Sequence, residues 1–226
     1  MNSMVEPSPG VMEALRTRTT EHHERAEKHP FQKALVSGRL PRPAYRENIA
    51  QLMFIHAELE ARLRTLRESD PRAAAIIGEN RFHSGTFESE LRFLGMEPGA
   101  AQALPEVTEL VEELRALASG EPLAALGMLY VLEGSTNGGV FIAKAVTRAY
   151  GLTGPEGTRW LNPHGEGQRP AWIAFKQAMD GAGFTPAEIE AMVAAARWMF
   201  DAVSRVGSAV LAAHPEAGVS GPAAAR

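Results

Sequence analysis

Two stretches of the chain carry residue types that can do chemistry on a bound ligand. The first is residues 16–29, RTRTTEHHERAEKH, dense in imidazole, carboxylate and guanidinium groups. His22 and His23 are neighbours, and at about 100° per residue only one of two adjacent helical side chains points squarely into a given pocket. His23, Ala26 and Glu27 share a face, and Arg16 lies near the same face two turns earlier. A neutral imidazole can ligate iron, a small residue such as Ala26 leaves room for a flat macrocycle, and a guanidinium pairs with carboxylates. The competing explanation is an ordinary histidine on an amphipathic helix, which is usually packed or solvated.

The second stretch is residues 122–150, PLAALGMLYVLEGSTNGGVFIAKAVTRAY, a long apolar helix by pattern with Gly134, Gly138 and Gly139 in its middle. Each glycine costs about 1 kcal/mol relative to alanine in a helix interior, so the group of three needs a reason. Gly134 and Gly138 project about 40° apart, with Ser135 and Gly139 on the adjoining flank, which leaves a bare, bendable strip of backbone. Close helix packing or a kink would explain it, and so would a broad, flat ligand lying against the backbone.

Other chemistries lack their spacing. No glutamate is followed three residues later by histidine, and neither His-Glu-x-x-His nor His-x-x-x-His occurs, which weakens di-iron and helical zinc sites. After Gly134 and Gly139 come Val140 and Phe141, where a phosphate-binding loop needs Lys and then Ser or Thr. A Gly-x-Ser-x-Gly elbow and a flavin or nicotinamide fingerprint are also missing, so electrons for any redox step come from outside. The chain has no cysteine, which removes disulfides, thiolate metal sites and Cys nucleophiles and agrees with a reducing compartment.

A net charge of −4 without a long basic run gives nucleic acid no electrostatic footprint. Residues 1–10 lack a basic and then apolar leader pattern, and no apolar run reaches the roughly 18 residues of a membrane span, so a cytoplasmic protein without a membrane partner is expected.

The elements that must hold these two stretches are all helical by pattern. Apolar positions at spacings of three and four predict helices over residues 11–29, 31–36, 44–68, 86–94 and 105–119 ahead of the glycine-interrupted one. Residues 151–169, rich in Gly, Pro and polar types, predict a loop. A helix over residues 170–179 follows, and Thr185, Pro186 and Glu188 supply the cap, first-turn proline and capping-box acid of a last helix ending near His214. Convincing strands are absent, so the fold class is all-α: one multi-helical domain over residues 11–214, with flexible ends at 1–10 and 215–226.

Together and in this order, the two stretches resemble the haem oxygenase family. His23-Glu24-Arg25-Ala26-Glu27 followed by Phe31 is similar to the family's proximal helix, in which a histidine followed by x-x-Ala-Glu binds haem iron. Gly134-Ser135-Thr136-Asn137-Gly138-Gly139 is similar to the kinked distal helix of bacterial members with Gly-Ser-x-x-Gly-Gly. The resemblance extends through residues 44–66 and the Thr185 helix, so that it spans residues 11–211.

It implies haem b, as cofactor and substrate, between a proximal N-terminal helix and a distal glycine-rich one. His23 would be the axial ligand of the iron, with Ala26 and Glu27 beside it; Arg16, Lys176 and Tyr130 would meet the propionates; Phe200 would line the pocket. Gly134, Ser135, Gly138 and Gly139 would face the distal side, with His23, Gly134, Ser135 and Gly138 carrying the catalysis. The implied reaction is cleavage of haem to biliverdin, carbon monoxide and ferrous iron by O2. Electrons would come from a ferredoxin or flavoprotein reductase, and a bilin-binding photoreceptor is a downstream user. Ser135 stands where many members have an aspartate that orders distal water, and Thr20 replaces a frequent basic residue. Two alternatives follow: a haem carrier or sensor on the same fold, and a relative of the helical thiamin-degrading enzymes. The absence of cysteine counts against the second, because those enzymes typically use a cysteine nucleophile.

Overall fold

A computed structural model describes residues 10–219; residues 1–9 and 220–226, which make up most of the two ends expected to be flexible, lie outside the described residues. The described chain is mostly helical, with no strand among the described residues. The central scaffold is α4 (Arg42–Ser69), α8 (Ala124–Tyr150) and α10 (Pro186–Ala213), which pack on one another. In α4, Ile49, Leu52, Ile55, Leu59, Leu63 and Leu66 recur at three- and four-residue spacing and are all buried, forming the stripe a core helix requires. The start of α10 is set by a complete capping box: the Thr185 hydroxyl accepts from the Glu188 amide at 3.3 Å, and the Glu188 carboxylate accepts from the Thr185 amide at 2.7 Å. Where α8 crosses α10, a β-carbon on Gly127 would lie 2.0 Å from the Met192 carbonyl oxygen, so only glycine permits that approach.

Shorter helices surround this core: α3 (Pro30–Val36), α5 (Pro71–Ile76), α6 (Ser84–Phe93), α7 (Pro105–Gly120) and α9 (Gln168–Gly181). No described helix is long and apolar enough to cross a membrane.

The structure answers three sequence expectations. The single helix over residues 11–29 is two, α1 (Val11–Arg18) and α2 (Thr20–Glu27), broken at Thr19. The cause is a run of threonines whose hydroxyls donate back to carbonyls one turn earlier: Thr17 to Glu13 at 2.8 Å, Thr19 to Leu15 at 2.7 Å and Thr20 to Arg16 at 2.9 Å. Such back-bonding bends helices, and Arg197 secures the break by donating to the Arg18 carbonyl at 2.9 Å.

Second, the glycine-rich stretch forms one long helix as its pattern predicts, α8 running from Ala124 to Tyr150. Ser135, Thr136 and Asn137 support the glycine turn by donating to the carbonyls of Leu132, Glu133 and Gly134 at 2.7, 2.6 and 3.0 Å. Third, the predicted loop over residues 151–169 holds two short 3-10 turns, Arg159–Leu161 and Gly165–Gly167. At the far end, α11 (Glu216–Val219) forms one more helical turn, with Ala217 buried and His214 Nδ1 2.9 Å from Glu216 Oε1.

Candidate functional site

The break at Thr19 matters because α2 then lies over a cavity of about 370 Å³. None of the residues of α2 is buried, and His23, Ala26 and Glu27 line that cavity. The two adjacent histidines separate as helix geometry requires. His22 turns to α10, with Nε2 3.8 Å from Asp201 Oδ2, while Arg25 holds the same carboxylate at 2.7 Å. His23 turns to the cavity and meets Phe200 edge to face, with ring centroids 5.5 Å apart and planes at 87°. Its Nε2 lies 3.8 Å from Glu27 Oε1, beyond hydrogen-bonding distance, so the imidazole keeps a lone pair for a ligand.

Across the cavity runs α8. A β-carbon on Gly138 would meet nothing within 4 Å, and one on Gly134 only the edge of the Trp172 ring at 3.6 Å. These two residues present bare backbone to the cavity, with Ser135 beside them. Gly139 does not share that role. Its β-carbon would lie 1.8 Å from the Leu161 carbonyl oxygen, so its missing side chain admits the Arg159–Leu161 turn on the outer side of α8. The expectation that Gly139 faces a ligand is thereby corrected: close backbone packing uses it.

The basic and phenolic groups gather near the Trp172 edge of the cavity. Tyr130 lies 5.9 Å from Trp172 between ring centroids, and Lys176 Nζ is 5.9 Å from the Trp172 ring. Burial raises the Tyr130 phenol, while the Thr19 hydroxyl and the Arg16 charge pull it the other way, which places Arg16 in electrostatic reach of Tyr130. Tyr130 and Trp172 line the cavity itself, whereas Arg16 and Lys176 do not.

One group of residues escaped the sequence argument. Glu133, one position before Gly134, is 2 % exposed and receives a short hydrogen bond from Arg81, whose other terminal nitrogen donates to the Ala171 carbonyl at 3.0 Å. His164 Nε2 lies 3.2 Å from Glu133 Oε2, and His83 Nε2 lies 3.5 Å from Oε1. Burial pushes the Glu133 carboxyl up, but the His164 and His83 imidazoles and the Arg81 charge outweigh it and hold it at about 2. Nearby, His56 packs on Phe87 with ring centroids 4.4 Å apart; burial, aided by His83, lowers it to about 3 and keeps it neutral. A signal for this cluster was present, since Glu133 is the only charge between Glu121 and Lys144 in an otherwise apolar helix. Its partners come from distant segments, where spacing rules for metal and catalytic motifs cannot reach.

The outer face of α8 brings His164 into place. Glu133, Thr136 and Gly139 follow one another at three-residue intervals along that face, and each meets the segment of residues 161–168. His164 contacts Glu133, Gln168 donates to the Thr136 hydroxyl, and Leu161 closes on Gly139. One helix thus offers bare backbone to the cavity at Gly134 and Gly138 and, beside it, a close-packed row that starts at the cavity wall with Glu133 and Thr136 and ends at Gly139 against the Arg159–Leu161 turn.

Comparison with known proteins follows the same geometry. The family model described as heme oxygenase matches residues 10–208. A heme oxygenase of Rhodella violacea is 26% identical over 147 residues, which are 64% of this chain and 62% of that protein, so the chain spans less than two thirds of the curated relative it matches. Among solved structures, heme oxygenase from Leptospira interrogans superposes with a TM-score of 0.81 at 19% identity, covering 88% of this chain and 99% of that one. Heme oxygenase-2 from Synechocystis sp. PCC 6803, in complex with heme and NO, superposes with a TM-score of 0.83 at 22% identity, covering 91% and 88%. At these identities the superpositions establish a shared all-α fold.

Proposed function

Because the chain belongs to the haem oxygenase family, we propose that it binds haem b between α2 and α8 and cleaves the porphyrin to biliverdin, carbon monoxide and ferrous iron. O2 and electrons from a ferredoxin or flavoprotein reductase complete the reaction. The observation that carries this proposal is the opposition of His23, with an uncommitted imidazole nitrogen, to the bare backbone of Gly134 and Gly138 across one cavity. The fit is chemical as well as spatial: a planar group can lie on α8 only where side chains are missing, and a β-carbon on Gly138 would project into open cavity.

When bound, haem supplies both the iron that takes up O2 and the meso carbon that is attacked. The chain's own residues bind and orient. His23 would hold the iron through its free imidazole nitrogen, and the edge contact with Phe200 orients the imidazole plane. Arg16, Lys176 and the Tyr130 hydroxyl would be the donors for the two propionates, Tyr130 and Lys176 standing beside Trp172 and Arg16 within electrostatic reach of Tyr130. Gly134 and Gly138 let the macrocycle approach the helix. Ser135 gives its hydroxyl proton to the Leu132 carbonyl and so faces the cavity as an acceptor, suited to holding a water by one of that water's protons. The cytoplasm is the compartment we propose, on the cysteine-free composition, with a bilin-binding photoreceptor as the downstream user.

The commitment of the Ser135 proton also favours a second reading, a haem carrier or sensor that does not turn its ligand over. Haemin with ascorbate, followed in the visible spectrum, separates the two. Loss of the Soret band with growth of biliverdin absorption, both reduced at least tenfold in His23→Ala, is expected. A Soret band that persists under reduction leaves the carrier, and no spectral shift on adding haemin overturns both.

A further inference from the structure

We propose that His83, Glu133 and His164 form a binding site for a divalent transition-metal ion in the wall of the cavity, independent of the His23 position. One donor atom from each of these residues lies within 4.8 Å of the other two. The individual separations of 3.5 Å (His83 Nε2 to Glu133 Oε1) and 3.2 Å (His164 Nε2 to Glu133 Oε2) are the telling ones. Ligands at about 2.1 Å from a tetrahedral ion stand about 3.4 Å from one another, so each imidazole nitrogen already stands near that spacing from one oxygen of the Glu133 carboxylate, and a small inward movement of the histidines would close the set of three donors.

His83 Nε2 supplies a second observation. It is shielded from solvent and makes no hydrogen bond of good geometry, its nearest acceptor, Glu133 Oε1, standing 3.5 Å away, an under-satisfied state for a buried polar atom. Coordination would satisfy it. Its backbone amide, meanwhile, donates to Glu60 Oε1 at 2.5 Å, which fixes the residue at the start of α6.

Two buried carboxylates flank His83, Glu60 and Glu133, each 2 % exposed; Arg81 pairs with Glu133, and Arg64, half exposed, reaches Glu60 Oε2 at 3.4 Å. Arg81 bonds Oε2 of Glu133, which leaves Oε1 toward His83 and orients the carboxylate from behind, the part that supporting partners play at metal sites. Two imidazoles and one carboxylate are a donor set suited to zinc and ferrous iron. His83 and Glu133 line the cavity, so the fourth position opens toward it.

Metal binding here does not depend on the proposed haem reaction. That ferrous iron is the natural occupant does rest on it, since that reaction would release the ion into the same cavity.

The test is titration of the full-length, haem-free protein with Co2+, with Fe2+ added anaerobically as competitor. One equivalent of Co2+ should give visible ligand-field bands characteristic of four or five ligands, and a large excess of Fe2+, the weaker binder in the Irving–Williams order, should displace it. His83→Gln and His164→Gln should each weaken binding at least tenfold, while His23→Ala keeps the bands; circular dichroism checks the fold of each variant. Should a glutamine variant fail to fold, the wild-type Co2+ form decides, because two ligated histidines give two paramagnetically shifted imidazole N–H signals. Absence of bands in the wild type, bands that survive His164→Gln, or fewer than two shifted signals would overturn the site. Protein that binds Co2+ in this way yet leaves haemin intact would refute only the haem reaction.

Discussion

A β-carbon added to Gly138 meets nothing within 4 Å, and one added to the next residue, Gly139, falls 1.8 Å from the Leu161 carbonyl oxygen. The same substitution therefore has opposite consequences at adjacent positions. Gly138→Ala removes a helix-interior glycine without a clash and should raise stability by up to about 1 kcal/mol, while weakening haemin binding because the methyl group enters the cavity. Gly139→Ala forces the Arg159–Leu161 turn off α8 and should lower stability by about 2 kcal/mol or more, in the range of overpacked sites. Thermal unfolding and haemin titration of the two variants check the pair; equal effects on both measurements would mean that the two glycines share one role. A sequence pattern cannot tell them apart. Both occupy helix positions with the same penalty, and the difference lies in what a turn more than 20 residues later brings to one of them.

At the level of the elements, α2 is the exception in this fold. It spans Thr20–Glu27, buries no residue, and is cut from α1 by the Thr19 break, so little apolar burial holds it. Helices of that length are marginal without packing. Amide exchange across residues 20–27 is expected to be at least tenfold faster than in the buried centres of α4 and α8, and to slow on haemin binding as His23 gains a ligand. Protection in α2 unchanged by haemin would separate that helix from the binding site. The main helices were legible because their apolar stripes repeat at three and four residues, and α10 because Thr185, Pro186 and Glu188 spell its cap. The Thr19 break was not, because threonine back-bonding competes with helix continuation only weakly and Arg197 helps decide the outcome from 179 residues away. His23 and the glycine strip could be paired by resemblance. The Glu133 cluster could not be assembled in that way, since Arg81, His83 and His164 converge on α8 from turns that have no periodic signature.

Across the whole molecule, buried titratable groups set opposing limits on stability. Burial raises the Glu90 carboxyl to about 7, against backbone hydrogen bonds from Arg159 and Gly157, and its Oε2 has no hydrogen-bond partner among the described residues. A carboxyl raised on folding takes up protons relative to the unfolded chain, so its contribution is complete below the unfolded value of 4.5 and is lost as pH rises through 7. His56 acts from the other side. Lowered from 6.5 to about 3, it contributes fully above 6.5, and that contribution drains away as pH falls. Glu188, held at about 2 first by its hydrogen bond from Arg72 and then by the Thr185 amide, adds a loss as pH falls below its unfolded value of 4.5. Stability should therefore peak between about pH 5 and 6.5 and decline on both sides, and the alkaline decline belongs to Glu90. Glu90→Gln keeps the shape of the side chain without the charge. It should leave the melting temperature at pH 5 nearly unchanged and raise it by several degrees at pH 8, which corresponds to roughly 2–3 kcal/mol for a shift of this size. A pH profile that Glu90→Gln displaces uniformly, without flattening its alkaline arm, would show that another group carries the decline.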